Sequence, residues 1–323
     1  MAAMATVAKV VCCFVLVLGV ANGQGLKVGF YQNTCPNAEA IVNDVMRTVF
    51  KEALSLAGPL LRMHFHDCFV RGCEASILLN SSTNTAEKDS PPNLSLRGYQ
   101  VIDRVKAALE KKCPGIVSCA DILAIVARDA VVATGGKFYN VETGRRDGNV
   151  SSLTETLTNL LPPTANITTL IAGFNAKGLS VKDLVVLSGG HTIGTSHCSS
   201  FSNRLYNFTG KNDADPSMDP NYVKVLKKRC KINDQTTLVE MDPGSFKTFD
   251  IKYFTLITKR RALFTSDEAL LNNSVTKAYL TAQSKNGGST FGDDFGVSMM
   301  NMGRISVITG SAGHIRKFCY KNN

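Results

Sequence analysis

The stretch RMHFHDCFVRGC, residues 62 to 73, sets two histidines, two arginines, an aspartate and two cysteines side by side in a 323-residue chain with five histidines in all. In a helix over residues 59–66, Arg62 and His66 share a face while His64 points elsewhere. A neutral imidazole beside a guanidinium is suited to moving a proton while negative charge develops nearby. The same pair also occurs as plain structural chemistry, so it carries a catalytic reading only in company.

The next residues supply company. Asp67, Glu74 and Ser76 offer side-chain oxygens, and the turn near Val70 and Gly72 offers carbonyls. A hard cation such as calcium takes about six to eight oxygens from such a glycine-containing turn. Zinc held by His64 and His66 is the competing reading, although Cys68 and Cys73, oxidised outside a cell, would leave it few soft ligands. Far downstream, LSGGHTIGTSHC (187–198) places His191 behind two glycines, where backbone can approach a flat ligand closely. A lone histidine there is more often structural, and His197 is a local competitor. Together His191 and His66 allow a two-sided arrangement, one imidazole ligating a metal from below and the other working on a substrate above. Haem is the cofactor that needs it.

The elements that must position these groups read as helices. Ile41, Val42, Val45, Met46, Val49 and Phe50 recur at helical spacing, with Pro36 suited to a first turn. Val101, Ile102, Val105, Ala108 and Leu109 repeat the pattern, as do Ile122, Leu123, Ile125, Val126 and Ala130. Ser180 with Asp183 marks another helix start, ended near Gly189-Gly190 just ahead of His191. Strand-like alternation is scarce, and Pro91-Pro92-Asn93, Pro162-Pro163 and Asn286-Gly287-Gly288 read as loops. The expectation is one mostly α unit in two lobes.

Composition sets the surroundings. Apolar residues make up 44% of the chain, enough for ordinary cores without metal or oligomer support. Residues 1–23 carry Lys9, an apolar run from Val10 to Val20 and small Ala21 and Gly23, the pattern of a cleavable secretory signal too short for a membrane span. The mature chain is then expected over residues 24–323, with Gln24 free to cyclise. Of ten cysteines, all but Cys12 and Cys13 remain, an even set favouring disulfides in an oxidising compartment. Spacing alone leaves roughly a hundred pairings open. The formal charge is +10, one less without Lys9. Such a balance suits acidic polysaccharide, membrane surfaces or nucleic acid, and secretion argues against the last. N-x-S/T sequons begin at Asn80, Asn93, Asn149, Asn166, Asn207 and Asn272.

RMHFHDCFVRGCEASILL and VVLSGGHTIGTSHC resemble the distal and proximal signatures of secreted plant haem peroxidases, the class III family. The likeness runs from about Gly29 to Cys319 and includes VSCADILAIVARDAV (117–131), TGRRDG (143–148), MDPGSFKTFD (241–250) and LFTSDEALL (263–271). It implies a mostly α, two-lobed haem peroxidase fold over residues 24–323, with haem b between distal and proximal helical lobes.

By that resemblance His66 is the distal histidine and Arg62 the distal arginine, with Phe65 lining the haem face. Asn93 accepts from the distal imidazole, which would bar its sequon from glycosylation, and Glu87 lies further out in the same network. His191 is the axial iron ligand, Asp267 takes its other ring proton, and Pro162 lies at the reducing-substrate edge. Two Ca2+ ions are implied, one at Asp67, Val70, Gly72, Glu74 and Ser76, the other at Thr192, Asp242, Ser245 and Asp250, with the Thr248 carbonyl. The implied disulfides join Cys35 to Cys113, Cys68 to Cys73, Cys119 to Cys319, and Cys198 to Cys230. The first pinched loop, Cys68–Cys73, would hold the helix of Arg62 and His66 over the haem. Two departures from the family pattern stand out: Glu74 where aspartate is usual, and Tyr139 where tryptophan is common.

The expected activity is reduction of hydrogen peroxide to water with one-electron oxidation of phenolic donors, in lignin or suberin formation, wall cross-linking, oxidative stress and defence. Acidic wall polysaccharide is a compatible partner of a monomeric, basic enzyme in the apoplast or cell wall rather than the vacuole, without nucleic acid or a membrane span. A secreted calcium-dependent binding protein would share the sequons and acidic loops but bind no haem. A hydrolase using Ser188 or Ser196 lacks a G-x-S-x-G elbow. A basic structural wall protein would explain the charge but not the paired histidine motifs.

Overall fold

The computed structural model describes residues 25–323; the expected signal segment, Cys12, Cys13 and Gln24 lie outside the described residues. The chain runs through α1 (Ala38–Ala53), α2 (Ala57–Val70), α3 (Tyr99–Lys112), α4 (Cys119–Ala133), α5 (Leu153–Asn159), α6 (Ile167–Ala176), α7 (Val181–Ser188), α8 (Ser202–Leu205), α9 (Pro220–Arg229), α10 (Lys252–Thr258), α11 (Thr265–Glu268), α12 (Ser274–Lys285) and α13 (Phe291–Met302). Two short antiparallel pairs complete it: β1 (Lys27–Val28) with β2 (Glu142–Thr143), and β3 (Thr195–His197) with β4 (Leu238–Glu240).

The apolar spacing of α1 buries Val42, Met46, Val49 and Phe50. Its first residue is Ala38, and Pro36 lies in the preceding turn rather than the first helical one, because Ala38 N–H closes on the Cys35 carbonyl at 2.9 Å. α4 is buried on nearly every face from Cys119 to Val131 and is capped by Ser118 Oγ, which accepts from Asp121 N–H at 3.1 Å. Its Asp121 is enclosed but bonded, to Tyr31 Oη at 2.7 Å and Arg145 Nη1 at 2.8 Å. α2, predicted over 59–66, extends a turn further at its C-terminus, and Pro91–Asn93, predicted as loop, forms a 3-10 turn.

One continuous hydrophobic core joins α1–α4 to α7, α10, α12 and α13. A smaller core around Phe201, Leu205, Val223, Leu226 and Met241 is pinned by the Cys198–Cys230 disulfide. The other disulfides join Cys35 to Cys113, Cys68 to Cys73 and Cys119 to Cys319, the pairing that the resemblance implies. Tyr139, in place of the usual tryptophan, packs edge-on to Phe295 at 6.4 Å. No described helix is long and apolar enough to cross a membrane.

Candidate active site

α2 separates its two histidines as the helical period requires. His64 is buried with Nδ1 3.7 Å from Cys68 Sγ, and burial followed by the Arg145 charge lowers its pKa to about 3. Among the described residues the side chains close enough to share a metal with His64 are Cys68 and Cys73, not His66, and those two cysteines are joined to each other. His66, on the other face, sets Nδ1 2.5 Å from Asn93 Oδ1. The Asn93 amide nitrogen donates to the Glu87 carbonyl at 2.7 Å, which fixes the amide orientation and leaves its oxygen for His66. An amide oxygen only accepts, so His66 Nδ1 carries the proton and Nε2 is the basic nitrogen. Burial holds His66 well below the ordinary histidine value, and the Arg62 charge holds it lower still.

Arg62 is clamped by two acceptors, Ser95 Oγ at 2.9 Å and the Pro92 carbonyl at 2.7 Å. Burial lowers its pKa to about 10, which leaves it charged at neutral pH. Phe65, half-buried, packs on Phe69 with centroids 4.2 Å apart and presents its edge to His66. Asn93 is 1% exposed with both amide atoms bonded, so its sequon has no free nitrogen for a sugar.

The segment of His191 follows from the helix before it. Ser180 and Asp183 form a full capping box on α7, the helix runs out at Ser188, and Gly189–Thr192 tighten into a 3-10 turn. Glycine is needed there: a Cβ at Gly189 would lie 2.6 Å from the Phe291 ring. α2 lies directly against this turn, a Cβ at Gly190 falling 3.4 Å from Leu61 Cδ2 and one at Gly58 2.9 Å from Gly194 Cα. The sequence neighbours of Arg62 and His191 therefore touch.

His191 Nδ1 is 2.8 Å from Asp267 Oδ1, and that oxygen also accepts from Tyr253 Oη at 2.7 Å. A carboxylate partner puts the proton on Nδ1 and leaves the Nε2 lone pair free. Asp267 is 2% exposed, whereas the His191 side chain is 41% exposed, so the carboxylate side is closed and the imidazole side open. A half-exposed imidazole backed by a buried carboxylate, with a second imidazole held unligated by an amide, fits haem iron bound from one side.

Two clusters have the donor chemistry of a hard cation. Around the pinched loop, Asp67 Oδ1, Glu74 Oε1, Ser76 Oγ and both Glu87 carboxyl oxygens are buried without a hydrogen-bond partner. Unpaired buried oxygens are costly unless a cation completes them. Burial and then the Asp67 and Glu74 charges raise Glu87 to about 9, and burial raises Glu74 to about 7. Glu87 thus stands further out in the His66 network, as expected, and enters it through its backbone carbonyl, while its side chain lies with the acidic loop. Of the expected carbonyl ligands, that of Gly72 accepts from Glu74 N–H at 2.8 Å and that of Val70 lies 3.4 Å from Lys177 Nζ.

In the second cluster Asp250 accepts from Thr192 Oγ1 at 3.3 Å and from Ser245 Oγ at 3.2 Å. Asp242 Oδ2 is buried and unpaired, and burial with the Asp250 charge raises Asp242 to about 6. Pro162 is exposed in the turn between α5 and α6, and Ser266 N–H, next to Asp267, donates to the Pro163 carbonyl at 2.9 Å. Tyr253 and Ser95 were not singled out in the sequence. Ser95 reads there only as part of the Asn93 sequon.

The peroxidase family model matches residues 42–286. Peroxidase 27 of Arabidopsis thaliana is 60% identical over 316 residues, covering 97% of this chain and 98% of that protein. Peroxidase 56 of the same plant is 58% identical, covering 96% and 94%, and Peroxidase 1 of Oryza sativa subsp. japonica is 56% identical, covering 93% of each. The paired imidazoles thus stand in a chain that belongs, over nearly its whole length, to the class III plant peroxidases, haem enzymes that use hydrogen peroxide.

Proposed function

We propose that the enzyme oxidises small phenolic donors by one-electron steps, with His66, Arg62 and Asn93 handling peroxide, His191 as the axial ligand of haem b, and two calcium ions in the acidic clusters. Haem, when bound, supplies the iron at which the O–O bond is cleaved and stores the two oxidising equivalents taken from peroxide. His66 Nε2 accepts the proton from the near oxygen and returns it to the far one, which leaves as water. Arg62, held by Ser95 and the Pro92 carbonyl, faces the charge that develops as the oxygens separate. Asn93 keeps the His66 proton on Nδ1, and Asp267 draws on the His191 ring proton and increases that ligand's basicity. Two donor molecules each give up one electron and one proton, so one peroxide yields two water molecules and two phenoxyl radicals. Pro162, exposed in its turn, supports a donor site at the surface, and a shallow site accepts lignin or suberin precursors as well as defence metabolites. Residues 1–23 are read as a signal delivering a basic, monomeric enzyme to the cell wall, where acidic polysaccharide would retain it.

One observation carries this reading: the relay of Glu87 carbonyl, Asn93 amide and His66 imidazole that leaves Nε2 as the free base beside a charged arginine. The test is rapid mixing of the haem-loaded enzyme with one equivalent of peroxide. His66→Ala should slow the first oxidation by roughly two to four orders of magnitude while the haem spectrum shows the cofactor bound. His191→Ala should change that spectrum before any peroxide is added. An unchanged first rate in His66→Ala removes the assignment.

A further inference from the structure

Gly148 ends the TGRRDG motif, and its glycine is required by space rather than by backbone conformation, since it is absent from the positive-φ residues. A Cβ there would fall 1.1 Å from Glu74 Oε2, 2.3 Å from Cδ and 3.0 Å from Oε1. The Glu74 carboxyl therefore occupies the space that any side chain at 148 would fill. Gly148 cannot retreat to make room. Its N–H donates to the Glu74 carbonyl at 2.8 Å, and the adjoining Asp147 exchanges backbone hydrogen bonds with His314 at 2.8 and 2.9 Å. The Asp147 carboxylate, fully buried, accepts from Ala120 N–H and Arg316 N–H, each at 2.9 Å.

Glu74 is the position where this chain departs from the aspartate usual in its family, and its extra methylene must be accommodated. Asp67 Oδ1, Ser76 Oγ and both Glu87 oxygens are buried and unpartnered next to it, so the cluster has groups aimed at a ligand besides its acidity. We propose that Gly148 is a positioning residue for the first calcium site, its bare Cα allowing the longer Glu74 side chain to fold back so that the carboxylate stays within the cluster of Asp67 and Ser76. With a methyl group at 148, Glu74 must swing toward Arg71, whose Nε is 3.9 Å from Oε1 and whose Nη1 already holds Glu155. An aspartate at 74 is too short to reach that space, so position 148 and the choice of acid at 74 are coupled. This inference rests on the calcium reading of the cluster.

The test is calcium itself, counted per chain on the haem-loaded enzyme dialysed against EGTA-buffered free calcium, in a double-mutant cycle. Gly148→Ala should weaken one of the two sites by roughly 10- to 100-fold, the range for losing a group that orients a ligand. Glu74→Asp/Gly148→Ala should recover the affinity of Glu74→Asp, a rescue that also shows a methyl group at position 148 to be compatible with folding. Wild-type affinity in Gly148→Ala, while Asp67→Asn loses that site, overturns the coupling and leaves the calcium reading standing. Equal weakening in the single Gly148→Ala and the double variant also overturns it, because Gly148 then acts without Glu74. If Asp67→Asn leaves the calcium titration unchanged, the cluster is not a calcium site and the inference falls with it.

Discussion

His66 is kept neutral by two causes, and they predict separable behaviour. Burial is the larger and the Arg62 charge the next, both disfavouring the imidazolium. The base form is lost only as pH falls through the depressed value, so the peroxide step should stay level below the ordinary histidine pKa of 6.5. Arg62→Leu removes the second cause, and besides a slower reaction its acid limb should move to higher pH. A limb that stays put in stopped-flow profiles would show that Arg62 does not tune His66. On the other side, Tyr253 Oη and His191 Nδ1 compete for one oxygen of Asp267. Tyr253→Phe leaves that oxygen to the imidazole, strengthening its pull on the ring proton, so the ferric form should be favoured and the reduction potential should fall. The lost buried hydrogen bond should cost about 1 kcal/mol in stability. An unchanged potential with that same stability loss would make Tyr253 structural only.

At the scale of the element, α7 shows what periodicity and capping can and cannot say. Ser180 and Asp183 announced its start, and the capping box is present with Ser180 Oγ accepting from Asp183 N–H at 3.1 Å. Ser180→Ala should lower unfolding free energy by about 1 kcal/mol and leave the haem spectrum unaltered, because the cap lies at the far end of the helix from His191. The main helices were likewise legible, since one apolar face at a 3.6-residue period is a local signal. The 3-10 turn at Pro91–Asn93 was not, because nothing in Pro-Pro-Asn alone says that Asn93 must turn inward to meet His66. Spacing within α2 separated His64 from His66, but only a non-local contact could divide the roles of Glu87, its carbonyl toward Asn93 and its carboxyl toward the acidic loop. The disulfides were likewise beyond arithmetic and came from the family pattern.

For the whole molecule, the four disulfides among the described residues act on different quantities. The Cys119–Cys319 bond spans 200 residues and ties α4, the helix buried on nearly all sides, to the chain end. Cys68–Cys73 spans 5 residues and pinches the acidic loop. In the chain-entropy view the long loop restrains the unfolded state by about 5 kcal/mol and the short one by about 2 kcal/mol. Replacing Cys119 and Cys319 together by alanine should therefore bring the larger fall in denaturation midpoint while leaving calcium stoichiometry as it was, since α4 contributes no oxygen to either acidic cluster. Replacing Cys68 and Cys73 should bring the smaller fall in stability but faster calcium release into EGTA, because the loop bearing Glu74 and Ser76 is then held by hydrogen bonds such as Ala75 N–H to Asp67 Oδ2 at 3.0 Å. Calcium stabilises whatever state binds it, so the two variants must be compared both at saturating calcium and in chelator. If the order of their midpoints reverses between those conditions, the short bond stabilises the enzyme through its bound ion; if the order holds in both, the length of the closed loop governs.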